Sequence, residues 1–412
     1  MSEITLLDGL VNGIGGTIGG GIFFLVGDLV MQNRANAYLA FFMGAIMCLL
    51  VAFCYCILSK EYPSKEGTAN YPKKTIDSKK MQLFLKGFII LGYTSLLCVY
   101  SLSAGSYLGS FIKAFNLRKI IASLVIGICL LLSYMPEDIF NSLQSVFVYT
   151  KLIVLLFIAA YGLVIKSKNV SVDGKNNSSI AKALLASLSV FVSFEGFEMN
   201  SGYSKNMQNV DTNLPTSYFL TIIVSAIVYM ALSITLNKHM GSLITKDNSA
   251  SSLIDLVKLF GFTSIGPIIV VITNLIANVS ANIATISSNN PMIEGYLKDL
   301  NMESSFLNKK IKILGSSKSI LLWLTCLLAI LSILFCPENI VKNSGSFSFL
   351  LIFTIMCILT FITIQKKEKN NEDITIYNKK INYMTCKFIS ILGGILCSLG
   401  CVLLTKDLIK GN

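Results

Sequence analysis

The chain has 412 residues, 53% of them hydrophobic and only 14% charged, with a mean hydropathy of +0.68. A soluble protein carries about 25% charged residues, and apolar runs of about 20 residues recur along this chain, so a water-soluble domain is excluded and an all-α polytopic membrane protein is expected. The net charge of +12 does not point to nucleic acid, because the lysines cluster in connectors between apolar spans, where orientation and anionic lipid account for them.

Hydropathy predicts about 11 transmembrane helices, at 6–30, 37–58, 83–111, 119–134, 139–166, 183–203, 216–236, 266–289, 319–336, 346–365 and 386–404. The N-terminus has no basic residue before its first apolar run and no small-residue cleavage site, so no cleavable signal peptide is expected. Span one reads GIGGTIGGGIFFLVGDLV from residue 13, with glycine at 13, 15, 16, 19, 20 and 21. Each glycine costs a helix interior about 1 kcal/mol relative to alanine, so this span is expected to break. In lipid, freed backbone groups survive only where protein or a water-filled cavity covers them, so a break predicts a cavity and a ligand.

Connector 59–82 carries six lysines, and connectors 290–318 and 366–385 are also lysine-rich. The excess places these connectors and the N-terminus in the cytoplasm and, with eleven spans, the C-terminus outside. Segment 237–265 is too polar at its start to span and is expected to hold a short helix over an outer vestibule. Eleven cysteines lie mostly within apolar spans, with neither CxxC pairs nor metal spacing, and read as small reduced core residues. His239, the single histidine, falls just past a span end and reads as structural. No cofactor, no metal and no enzymatic motif is expected.

Span six contains Glu195, Gly196 and Glu198, then Ser201 and Gly202. Carboxylates within a span default to a functional reading. Breaks in spans one and six, five spans apart, point to an inverted-repeat transporter. Residues 1–166 would form the first repeat of five spans, 167–365 the second, and 366–412 an extra C-terminal span.

GIGGTIGGGIF resembles the first-span signature of the amino acid–polyamine–organocation permeases, G-x-G-x-x-I-G-S-G-I-F. AFCYCILSKEYPSKEGTANYP resembles that family's second span and exit, TKLIVLLFIAAYG its fifth span, and FEGFEMNSGYSKNMQNVDTNLP its sixth. The similarity runs from about residue 5 to 300. Gly20 stands where the family has serine, the P-x-S-G-G stretch becomes Pro63-Ser64-Lys65-Glu66-Gly67, and Tyr203-Ser204 lies near the place of an acidic pair. The resemblance implies a leucine-transporter-type 5+5 inverted repeat with spans one and six broken. It implies a secondary transporter of an amino acid or related amine, proton-coupled or exchanging, in the cell membrane. An amino-acid-sensing receptor on the same fold is the alternative.

Gly19, Gly20 and Gly21 open the second half of span one, where free N–H groups and a helix dipole suit a carboxylate; close helix packing is the competing reading. The family would use the carbonyls of Thr17 and Ile18, and those near Val192 and Glu195, for the substrate amine. Many relatives place an aromatic gate at Val192, and Phe191 or Phe194 could substitute; simple packing is the competing reading. Glu198 matches the family's acid and could bind the unwound backbone or exchange protons. Glu195 could read a cationic substrate or titrate, or be a structural acid.

Lys151 lies about twelve residues into span five, where an unpaired charge is costly. In proton-coupled relatives a lysine here replaces sodium and bridges the span-one break to span eight; snorkelling to the cytoplasmic face is the competing reading. Ala284, Ser287 and Ser288 mimic the family's sodium site, the weaker alternative. Asn274, Asn278, Asn282, Thr285 and Asn289 share one face of span eight at about 100° per residue, as either a substrate pathway or interhelical hydrogen bonds. Tyr93, Tyr100 and Tyr107 recur every seventh residue along span three, as an aromatic seam or a cavity wall.

Overall fold

The computed structural model describes residues 3–166, 180–241, 243–245, 248–302, 304–313 and 316–409. Most of the 167–182 connector therefore lies outside the described residues. The helices run α1 Leu6–Thr17, α2 Gly20–Asn33, α3 Ala37–Glu61, α4 Tyr71–Thr75, α5 Lys79–Phe111, α6 Arg118–Leu132 and α7 Glu137–Val164. They continue as α8 Ile180–Ser189, α9 Val210–Met240, α10 Ser252–Leu259, α11 Ile265–Asp299, α12 Ile320–Phe335, α13 Glu338–Lys369 and α14 Tyr383–Ile409. Helix occupies every one of the predicted spans. Among the described residues, seven helical stretches are long and apolar enough to cross a membrane, so this is an all-α, multi-pass membrane protein. Of the other predicted spans, those of α6 and α12 are shorter helices, and span six is interrupted after α8.

Local chemistry sets the helix ends. Thr5 and Asp8 form a capping box at α1: Asp8 N–H donates to Thr5 Oγ1 at 3.2 Å, and Thr5 N–H donates to Asp8 Oδ2 at 2.8 Å. Pro136 and Pro337 precede α7 and α13, as expected where an extended residue must enter a helix. Helix α11 runs ten residues past the apolar run that predicted it, to Asp299, because hydropathy sees only the apolar part of a helix. His239 is likewise inside α9 rather than beyond the span; its Nε2 lies 2.7 Å from Gly162 O and its ring meets Phe260 edge-on.

Polarity is arranged for lipid. Ile153 and Phe157 on α7, Leu124 on α6 and Phe388 on α14 are more than half exposed, while Asn274, Asn278, Asn282, Glu195 and Glu198 are fully buried. Helix α5 packs along α11, α6, α12 and α13; α1 packs along α9; α13 and α14 pair and cover α3. The expected short helix between residues 237 and 265 is α10, which lies against α9, α11 and α2.

Two connectors that read only as polar and lysine-rich carry antiparallel hairpins. Strands β1 (Lys310–Ile313) and β2 (Ser316–Ser319) pair Lys310 with Ser319, and β3 (Thr375–Ile376) and β4 (Lys379–Lys380) pair Thr375 with Lys380. The first hairpin delivers a lysine to the cavity described below.

Candidate functional site

Both predicted breaks are present. Between α1 and α2 the chain runs through Ile18 (φ −82°, ψ 68°) and Gly19 (φ −103°, ψ −148°), outside helical geometry. Helix α8 ends at Ser189, a single 3₁₀ turn covers Phe191–Phe194, and a second 3₁₀ stretch covers Phe197–Tyr203. Gly196 stands between them with φ +122°, a conformation that side chains oppose.

The breaks cross backbone to backbone. A Cβ on Gly196 would meet Thr17 N and lie 2.9 Å from Gly16 Cα, and one on Gly16 would lie 3.2 Å from Gly196 Cα. The Gly19–Gly21 triplet splits between neighbours. A Cβ on Gly19 would lie 2.7 Å from Ala281 Cβ; one on Gly20 would strike Asn278 Oδ1 and lie 2.6 Å from Ser103 Cβ. Gly21 instead faces Ser193 of the second break, whose Cα would be 3.1 Å away.

Side chains hold these segments where helix hydrogen bonds are missing. Glu198 Oε2 accepts from Gly196 N–H at 2.7 Å, and Oε1 accepts from the Tyr93 hydroxyl at 3.2 Å. The Tyr100 hydroxyl donates to Gly16 O at 3.2 Å, and that of Tyr107 donates to Phe23 O at 2.9 Å. So the tyrosine seam of α5 reaches both segments as well as filling space: Tyr100 holds backbone at the end of α1, Tyr93 holds Glu198, and Tyr107 ties α5 to the intact α2. Tyr229 on α9 adds a second clamp: its hydroxyl lies 2.9 Å from Thr17 O and 2.7 Å from Ser193 O and shares one proton between them. Phe194 packs against the Tyr229 ring in a tilted arrangement, centroids 5.2 Å apart, and contacts the Gly44 position of α3. The Val192 side chain lies outside the described residues.

Beside these clamps lie polar groups without partners. Both Glu195 oxygens, Thr17 Oγ1 and Ser193 Oγ are buried and make no hydrogen bond among the described residues. They belong to the two broken segments, and a buried polar group without a partner costs about 1–3 kcal/mol, so they are the groups a polar ligand would satisfy.

Lys151 is completely buried on α7. Its Nζ donates to Gly15 O at 2.8 Å and lies 3.4 Å from Ser280 Oγ on α11. The lysine thus links the helix before the first break to α11 rather than snorkelling. Gln144, one heptad earlier on the same face, donates from Nε2 to Ser280 O at 3.2 Å. Ser287 and Ser288 line a cavity about two turns further along α11, and Ala284 is buried between. Of the asparagine stripe, Asn274 and Asn282 donate to Ser103 Oγ and Ser101 Oγ of α5, each at 3.0 Å. The Oδ1 atoms of Asn274, Asn278 and Asn282 are unpartnered among the described residues.

Three participants escaped the sequence reading. Gln144 and Ser280 could have been found, since each lies seven residues before a residue already singled out, Lys151 and Ser287. Tyr229 carries no such signal, because its partners are backbone atoms in two distant segments.

A cavity of about 380 Å³ opens on the face that carries the N-terminus, bounded by Val11, Asn12, Gln144, Met199, Ser287 and Ser288 among others. It stops short of Thr17–Gly21 and Glu195, none of which lines it. Among the described residues no cluster of His, Cys, Asp and Glu could hold a metal ion.

Residues 5–406 match the family model described as amino acid permease. The chain is 22% identical to the inner membrane transport protein YbaT of Escherichia coli (strain K12), over 65% of this chain and 63% of that protein. It is 26% identical to the methylthioribose transporter of Bacillus subtilis (strain 168), over 58% of this chain and 54% of that protein. The branched-chain amino acid permease BcaP of the same organism is 24% identical over 56% of this chain and 53% of its own length. The chain thus spans between half and two thirds of each of these relatives. The match of the family model over nearly the whole sequence settles its kinship: the chain belongs to the amino acid permease family.

Proposed function

We propose that the protein is a secondary transporter that carries an amino acid or related amine across the cell membrane and couples this movement to protons. Its relatives include amino acid permeases and transporters, and the paired breaks supply a polar crossing within an apolar bundle. The substrate carboxylate binds the N–H groups at the start of α2, at Gly20 and Gly21, and its amine binds the carbonyls of Thr17 and Ile18 and those near Val192 and Glu195. Residues 1–166 and 167–365 act as inverted five-span repeats, with 366–412 as an additional span and the N-terminus in the cytoplasm. Alternating access follows from rocking of the two repeats against each other.

The observation that carries this reading is Lys151, whose ammonium joins Gly15 O to Ser280 across two helices. A charged Lys151 strengthens that tie, and a neutral one weakens it. Protonation therefore biases the population of states in which α1 and α11 are drawn together. Glu198 holds Gly196 and keeps the second break open to ligand. The test is uptake of a labelled amino acid panel into proteoliposomes with an imposed proton gradient. Wild type accumulates substrate, while Lys151→Ala keeps binding and loses gradient-driven accumulation. Undiminished accumulation in Lys151→Ala overturns the coupling role, and a strict sodium requirement in wild type moves coupling to Ala284, Ser287 and Ser288.

A further inference from the structure

The cavity on the N-terminal face contains a cation that the proposed transport cycle does not use. Lys318, in β2, is only 8% exposed yet lines this cavity. Its Nζ sits 5.6 Å above the centroid of the Tyr134 ring. No hydrogen bond or ion pair joins it to the described residues. Glu294, the acid that influences it, is engaged by Lys310 at 3.1 Å. The acids of the cavity are engaged too: Glu3 accepts from Gln208, and Asp8 serves the α1 cap. Burial lowers the Lys318 pKa below the ordinary lysine value. A buried ammonium is costly unless paired, and the contact with one aromatic face offsets only part of that cost.

We propose that this cavity is a second binding site, and that Lys318 Nζ is the counter-ion for the carboxylate of an amino-acid-sized ligand. Ser287 and Ser288 supply hydroxyl donors from the α11 wall. A volume of about 380 Å³ lies within the ordinary range for small-molecule sites, roughly 300–1,000 Å³. The cavity lies between the crossing of the breaks and the N-terminal face, so its ligand is one that is entering or leaving the central site. That identity rests on the transport reading; the carboxylate site does not.

The protein has its own reporter. Trp323 is the single tryptophan of the chain, and its Nε1 donates at 2.8 Å to the hydroxyl of Tyr134, the ring that Lys318 Nζ overlies. Full-length protein in nanodiscs is titrated with sodium acetate at constant ionic strength, with sodium chloride and methylammonium as parallel probes. Acetate should give a saturable change in Trp323 fluorescence that Lys318→Gln abolishes and that Ser287→Ala combined with Ser288→Ala weakens. In vesicles, Lys318→Gln should raise the half-saturation concentration for substrate offered at the N-terminal face by about tenfold, a bias near 1.4 kcal/mol. Half-saturation at the other face should hold. A melting curve that matches wild type shows that the variant is folded. The proposal is overturned if Lys318→Gln responds to acetate as wild type does, if chloride evokes the same response, or if half-saturation moves alike at both faces. Vesicles that transport nothing while the Lys318-dependent acetate response persists would sink the transport reading and leave this site standing.

Discussion

Glu195 is the residue at which stability and the proposed function most plainly oppose one another. It is fully buried, and neither oxygen has a partner among the described residues, while Glu198, three positions on, spends both oxygens on Gly196 and Tyr93. Two carboxyls of one segment therefore stand differently: one holds backbone and the other is left without a partner among the described residues. A buried acid without partners costs the fold about 1–3 kcal/mol. Glu195→Gln is expected to keep or raise the melting temperature and to lower the rank of lysine and arginine against neutral amino acids in a competition assay. An unchanged ranking would reduce Glu195 to a structural acid.

Broken helices need substitutes for their lost hydrogen bonds, and here the substitutes are tyrosines on intact neighbours. Tyr229→Phe keeps the ring packed against Phe194 but removes the hydroxyl proton shared by Thr17 O and Ser193 O. The loss should cost about 1–2 kcal/mol, which corresponds to about a tenfold shift between conformers. A matching drop in substrate affinity, with the melting curve nearly unchanged, would be read by binding and calorimetry. Equal affinity in both proteins would remove Tyr229 from the site. The sequence showed where the helices break, because the glycine cluster and Glu195-Gly196 announce a local failure of helix. It showed Lys151, because a lysine at membrane depth needs a reason. It did not show Tyr229 or the engagement of Ser280, since those depend on which faces of remote helices meet. Nor did it show the β1–β2 hairpin and the placement of Lys318: Lys-Ser-rich connectors have the same composition whether paired or not.

At the scale of the whole molecule, a buried charge network fastens the connector after α3 to the bundle. Lys86 on α5, 2% exposed, pairs with Glu66 and with Asp299 Oδ2 at 2.7 Å, and Lys73 pairs with Asp299 Oδ1 at 2.6 Å. The Asp299 hydrogen bond raises the Lys73 pKa above its ordinary value. The same connector reaches the second broken segment, where Thr68 N–H donates to Ser201 Oγ at 3.1 Å and Ser64 N–H to Ser204 Oγ at 3.1 Å. Lys86→Ala would leave Glu66 and Asp299 with one cation fewer. It is expected to destabilise the protein by about 3 kcal/mol, the lower end for a broken buried pair because both acids keep some contact with solvent. Lys73→Ala, at a far more exposed position, should cost well under 1 kcal/mol. Thermal melts of the two variants check this, and a Lys86→Ala protein as stable as Lys73→Ala would show that the network holds nothing together.

The contact of Gly16 with Gly196 has a consequence for how such a protein can change over time. Where the two broken segments cross there is no side chain to lengthen, shorten or recharge, and any added carbon at residue 196 collides with backbone. Point mutation therefore has no means of adjusting the crossing itself. On the proposed reading, new preferences for a ligand arise beside this contact, at positions such as Val192, Phe194 and Glu195, while the contact of Gly16 with Gly196 stays as it is.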